Sequence, residues 1–189
     1  MKTLKLTFIA IVATLITSSC IKKPDVYDAV GQFELEKPMI AAYVEENYPG
    51  ATLHTESGIW YQLIEPGNDD SYTYKFINAA GAIEAPLIFA NYEGKLLDDT
   101  SFDKHESASG TKFLLDQVIE AWQRAFVPAK IGDTKTFGLT QKGLKQGSKI
   151  VIITPSIYGY RNHIMPKIPA NSPLVFTIDV ISISTNNSL

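Results

Sequence analysis

The sequence predicts an α+β fold, an antiparallel sheet with a helix laid across one face, and three observations lead there. Five runs dominated by Val, Ile, Phe and Tyr read as strands: GIWYQLI (58–64), YTYKFI (72–77), PLIFANYEGKL (86–96), KIVIIT (149–154) and LVFTIDVISI (174–183). Gly, Asp, Asn and Pro punctuate the intervals between them, as turns require. A single good helix, QVIEAWQRAF (117–126), interrupts the strands, with Val118, Ile119, Trp122, Ala125 and Phe126 along one apolar stripe. Finally, 189 residues with 45% hydrophobic content can bury one sizeable core, not two. Sheet and helix each have one apolar side to bury, so each covers the other.

Along the chain, Met1 to Lys5 is a short basic region and Leu6 to Ile16 an apolar run too short to span a bilayer as a mature helix. Together they read as a signal peptide over 1–19. The run ends in Leu15-Ile16-Thr17-Ser18-Ser19-Cys20, which resembles a bacterial lipobox, and Cys20 is the chain's one cysteine. Processing there would make Cys20 an acylated N-terminus anchored to a membrane, facing the periplasm or exterior of a bacterial cell envelope. A lone cysteine allows no internal disulfide.

Residues 20–31 read as a tether, and 32–57 as a helical extension in which Phe33, Met39, Ile40, Tyr43 and Val44 fall at helical spacing. Pro38 is compatible with that helix only near its first turn. The main domain then spans 58–184, with an insertion at about 126–144 rich in Gly and expected as a surface loop or small hairpin, and 185–189 form a tail. The segment 72–81 is expected to extend the sheet edge.

Charge excludes some functions. The net charge is −3, and removal of 1–19 would take away Lys2 and Lys5, leaving 15 basic residues against 20 acidic, or −5. Such a chain is a poor nucleic-acid binder. His54, His105 and His163 are scattered without metal-ligand spacing, and there is no phosphate-binding loop or serine nucleophile motif, so no metal or cofactor is expected. What stands out is nine Tyr, nine Phe and two Trp. Any one of these alone reads as core.

Taken in order, however, the residues resemble the FKBP family of prolyl isomerases over 58–183: Tyr92-Glu93-Gly94, Phe102-Asp103, Phe113 ahead of Val118-Ile119-Glu120-Ala121-Trp122, GSKIVIITP (147–155), Ile157-Tyr158-Gly159 and IPANSPLVF (168–176). The resemblance implies a half-wrapped antiparallel sheet curled round a short helix. It also implies a substrate pocket lined by Tyr92, Phe102, Phe113, Val118, Ile119, Trp122, Tyr158, Ile168 and Phe176, with Trp122 as its floor and Asp103 as its acidic group. By the same resemblance the Ile119 N–H and the Tyr158 hydroxyl bond substrate carbonyls, and Asp103 and Tyr158 are the catalytic pair.

Cis/trans exchange at an X-Pro bond faces a barrier of about 18–20 kcal/mol because twisting destroys amide resonance. A dry apolar cup favours the twisted, less polar amide, and no nucleophile is needed. The expected activity is therefore peptidyl-prolyl cis-trans isomerisation assisting exported proteins, on proline-containing polypeptide clients, by a monomer. A non-catalytic proline-binding module or holdase is the alternative. The chain departs from the family at Asp98-Asp99, Asp116 and Ala121, and at KHESASG (104–110), where many members carry an arginine that pairs with the pocket aspartate. Lys104 and His105 are the candidates to replace it.

Overall fold

The computed structural model describes residues 26–186, so Cys20 and the segment before it lie outside the described residues. Its elements run α1 (Ala29–Asn47), β1 (Thr52–His54), β2 (Ile59–Asn68), β3 (Leu87–Lys95), β4 (Ser101–His105), β5 (Thr111–Leu114), α2 (Glu120–Phe126), the small hairpin β6 (Lys130–Ile131) and β7 (Thr134–Lys135), β8 (Gln146–Thr154) and β9 (Leu174–Ser184). The main sheet has the order β1-β2-β8-β9-β3-β4, with β5 also on β3, and every pair in it is antiparallel. One edge of β3 is shared: β5 takes Leu87 to Ala90 and β4 takes Tyr92 to Lys95. The chain crosses between them through Gly110 (φ 70°), where a Cβ would sit 2.8 Å from the Ala90 nitrogen.

Both faces of β8 are buried, which is why it reads as an unbroken apolar run. Ile150 and Ile152 join the main core with Trp122, Phe126 and Phe176, whereas Val151 and Ile153 pack beneath α1 against Ile40, Tyr43 and Val44. α1 thus covers the sheet face opposite α2. Its N-terminus is capped by Asp28, whose Oδ1 accepts the Gly31 N–H at 2.9 Å. The helix starts within the stretch read as tether, and it contains Pro38 well past its first turn. Docking through Glu36, Ile40, Tyr43 and Val44, on both sides of Pro38, offsets an interior-proline cost of about 3 kcal/mol.

Two segments differ from the sequence-based expectation for one shared reason. Residues 72–77 form no strand beyond an isolated Phe76–Ile83 bridge. Instead Tyr72 and Tyr74 are buried edge to face, 4.9 Å between centroids, and act as anchors. The Tyr74 hydroxyl donates to the Leu144 carbonyl at 2.8 Å, and the buried Lys145 Nζ donates to the Tyr72 carbonyl. Their partners lie in or beside the insertion, and only its β6–β7 tip is a surface hairpin. Past the tip, Leu139 and Leu144 sink into the core. Backbone N–H groups of Leu139 and Leu144 donate to the carbonyls of Arg124 and Phe126, both at 2.9 Å. These are terminal carbonyls of α2 that the helix itself cannot satisfy, so the insertion caps the pocket helix.

Candidate active site

The site is assembled on β3, β4, β5, α2 and β9 around one indole. Trp122, on the inner face of α2, is 4% exposed and meets three rings edge-on: Phe113 at 5.2 Å, Tyr92 at 5.4 Å and Phe176 at 5.8 Å between centroids. Phe126 lies beneath it, nearly parallel at 6.2 Å. Phe102 closes the wall against Phe176 at 5.6 Å. That closure depends on Gly94, opposite Asp103 on the neighbouring strand, since a Cβ there would come within 2.4 Å of the Phe102 ring. Edge-to-face contacts of this kind hold rings in fixed relative orientations, so the walls are preorganised.

They enclose a cavity of about 280 Å³ lined by Tyr92, Phe102, Asp103, Phe113, Gln117, Val118, Ile119, Trp122, Tyr160 and Phe176. Eight of the residues expected from sequence are therefore brought together. Ile119 is the N-cap of α2, accepting from Trp122 and Gln123, a position that leaves its own N–H outside the helical ladder.

Two expected residues fall elsewhere. Ile168 is buried in the core and does not line the cavity, its backbone paired with Met165. Tyr158 ends a 3-10 turn (Ser156–Tyr158) and lies against α2, where the Arg124 guanidinium sits 4.5 Å from its ring centroid. Gly159 redirects the chain, and Tyr160 enters the cavity instead. The motif IYGY offers two tyrosines flanking one glycine, and order along the chain cannot tell which one the turn aims inward. Gln117 was also missed, since a polar residue just before an apolar stripe carries no distinguishing signal.

Asp103 differs from expectation in its surroundings. It is exposed at the cavity rim rather than buried, and its carboxylate accepts the Tyr92 hydroxyl at 2.7 Å. Neither expected cation reaches it: Lys104 pairs with Glu106 at 3.5 Å and His105 with Ser107 at 3.2 Å. Strand alternation accounts for the exposure of the acid, because Phe102 points into the core and Asp103, next along β4, turns outward. The partner that orients the acid is thus the neutral Tyr92 hydroxyl.

Burial, the Asp103 hydrogen bond and its charge push the Tyr92 hydroxyl up to about 12. Burial and the Asp103 charge also raise Tyr160, and burial is the leading cause of the upward shifts of Tyr43, Tyr72 and Tyr74. A tyrosine whose folded pKa lies above its unfolded value of about 10 favours folding while protonated and loses that contribution as pH climbs through the gap. The thermal midpoint is therefore expected to hold below about pH 10 and fall between about pH 10 and 12. Tyr92→Phe should shallow the fall, which differential scanning across that range measures.

Comparisons with known proteins agree with this geometry. Residues 82–181, just over half of the chain, match the family model described as FKBP-type peptidyl-prolyl cis-trans isomerase. The Escherichia coli K12 FKBP-type peptidyl-prolyl cis-trans isomerase FkpA is 28% identical over 130 residues, covering 68% of this chain and 39% of FkpA. A probable FKBP-type 25 kDa peptidyl-prolyl cis-trans isomerase of Pseudomonas aeruginosa is 31% identical over 105 residues, 55% of this chain and 38% of that protein. The chain thus spans about two-fifths of the length of these curated relatives. Among solved structures, E. coli FkpA superposes with a TM-score of 0.58 at 24% identity, covering 84% of this chain and 62% of that one. A Pseudomonas syringae peptidyl-prolyl isomerase gives 0.54 at 24% identity, covering 82% and 95%. An ordered aromatic box on a curled antiparallel sheet and a family match running from before β3 into β9 lead to one conclusion: the chain belongs to the FKBP-type peptidyl-prolyl cis-trans isomerase family.

Proposed function

We propose that the protein is a peptidyl-prolyl cis-trans isomerase that assists the folding of exported proteins. The observation that carries this reading is the preorganised aromatic cavity floored by Trp122, sized for a single small ring and open to a rim that holds one carboxylate. A proline seated on the indole exchanges water for ring faces and edges. The prolyl nitrogen then pyramidalises as the amide twists, and a dry wall favours that less polar arrangement over the planar one. Ile119 offers its backbone N–H to a substrate carbonyl. Tyr160 takes over the hydroxyl role expected of Tyr158, and Asp103, oriented by Tyr92, faces the carbonyl that rotates.

Variants separate these roles in a protease-independent isomerisation assay on an Ala-Leu-Pro-Phe peptide. Tyr160→Phe is expected to lower kcat/KM by about tenfold, the loss of one transition-state hydrogen bond. Tyr158→Phe should leave it within about twofold, because its ring and not its hydroxyl meets Arg124. The reverse order would return the role to Tyr158. A wild type that binds the peptide without accelerating exchange would instead be a proline-binding module or holdase.

The lipobox-like run ending in Cys20 supports a lipid-anchored form in a bacterial cell envelope, facing the periplasm or exterior. A single acyl chain binds a membrane only marginally, so stable attachment takes more than one. Cys20→Ser should move the protein from the membrane to the soluble fraction or leave it unprocessed. Unchanged sedimentation with membranes would refute the anchor.

A further inference from the structure

We propose that Glu36 is a positioning residue: from the N-terminal helix it holds the turn that delivers Tyr160 to the cavity, making α1 part of the working site. The inference rests on the pocket reading given above. Glu36 is 1% exposed, and a buried carboxylate is costly unless its oxygens are fully engaged. Its partners are three neutral donors. Oε2 accepts the Ser156 N–H at 2.7 Å, and Oε1 accepts the Ser156 hydroxyl at 2.5 Å and the Gln32 side-chain amide at 2.7 Å.

Two of those bonds grip the start of the 3-10 turn Ser156–Tyr158, 120 residues away along the chain. Nothing local caps that turn, for the residue ahead of it is Pro155, which has no side-chain oxygen. Glu36 is its cap. The Ser156 carbonyl in turn accepts the N–H groups of Gly159 and Arg161, both at 2.9 Å, which fixes the path through Tyr160. Arg161 sits in the left-handed region (φ 55°), a conformation a side chain adopts only with support. Gripping Ser156 thus fixes both ends of the segment that aims Tyr160.

The rival is that Glu36 merely docks α1. α1 has a separate tether that supplies the control: the Tyr43 hydroxyl donates to Asp99 Oδ1 at 2.8 Å, at the turn between β3 and β4 and away from Ser156. Glu36→Ala, Glu36→Gln and Tyr43→Phe would be compared with wild type for urea unfolding, for kcat/KM on the Ala-Leu-Pro-Phe peptide, and for backbone amide shifts of residues 156–161. Glu36→Ala is expected to lose about tenfold in kcat/KM through misorientation of Tyr160, with those amides displaced. Glu36→Gln, which can still accept from the Ser156 N–H, should recover most of the loss. Tyr43→Phe should lower stability while leaving kcat/KM and the amides unchanged.

The proposal is overturned if Glu36→Ala retains wild-type kcat/KM, or if both loosened variants lose activity in proportion to stability. Should Glu36→Ala not fold, Ser156→Ala removes one of the two bonds to the turn and carries the test, with an expected loss of about threefold. Absence of catalysis in wild type would sink the enzyme reading but not this one. Peptide affinity, read from the Trp122 indole N–H shift, then decides: weaker binding by Glu36→Ala than by Tyr43→Phe supports it, and equal binding ends it.

Discussion

Trp122→Ala is expected to reduce kcat/KM for a prolyl peptide by about a hundredfold or more while the sheet still folds. Trp122 touches three walls of the cavity and the ring beneath it. Truncation removes the surface proposed to seat the proline and also releases Tyr92 and Phe113, whose rings meet the indole edge to face. A stability loss of about 3–5 kcal/mol accompanies it, typical of Trp to Ala in a core. Urea unfolding and exchange kinetics on the same samples separate the two effects. Trp122→Phe keeps a ring and should recover most of the stability with only part of the activity. Retention of activity within threefold by a folded Trp122→Ala would remove the indole from the mechanism.

Leu144→Ala is expected to destabilise the protein by about 2–5 kcal/mol while leaving turnover per folded molecule near that of wild type. Leu144 is fully buried, yet it belongs to a segment that reads as a loop. Its N–H caps the Phe126 carbonyl and its own carbonyl receives the Tyr74 hydroxyl, so the side chain sits where the insertion, α2 and the 72–77 segment meet. Substitution at the hairpin tip, Asp133→Ala, should stay within about 0.5 kcal/mol. Equal, small losses at both positions in a denaturant series would make the insertion the neutral surface loop its sequence resembles.

The contrast between those two positions shows what the sequence could and could not convey. Runs of Val, Ile, Phe and Tyr located β2, β3, β8 and β9, and an apolar stripe at three-to-four-residue spacing located the helix carrying Trp122. The order of aromatic motifs located most of the pocket. Glycines did not reveal that the insertion enters the core. Gly143 is there because a Cβ would come within 2.3 Å of the Phe126 carbonyl oxygen, a close approach that looks in sequence like an ordinary loop glycine. Likewise Tyr72 and Tyr74 have strand-like chemistry but spend it on long-range hydrogen bonds. Glu36 was invisible for a related reason: a glutamate on an amphipathic helix reads as solvated, and only its three-dimensional partners make it a cap.

The choice between Tyr158 and Tyr160 was a matter of geometry. A 3-10 turn followed by Gly159 rotates the chain so that one tyrosine meets Arg124 and the other lines the cavity. Asp103 illustrates the same limit, since strand alternation predicts an outward acid, but nothing in the order of residues identifies the Tyr92 hydroxyl as its partner.

The most direct measurement is two-dimensional exchange spectroscopy on an Ala-Leu-Pro-Phe peptide with a small fraction of the wild-type protein added. Uncatalysed exchange takes tens to hundreds of seconds, too slow for cross-peaks between the cis and trans proline resonances. An isomerase pocket around Trp122 brings those cross-peaks up within sub-second mixing times, and Trp122→Ala removes them. A folded wild type whose peptide spectrum shows no exchange cross-peaks would contradict the assignment of this cavity as an isomerase site.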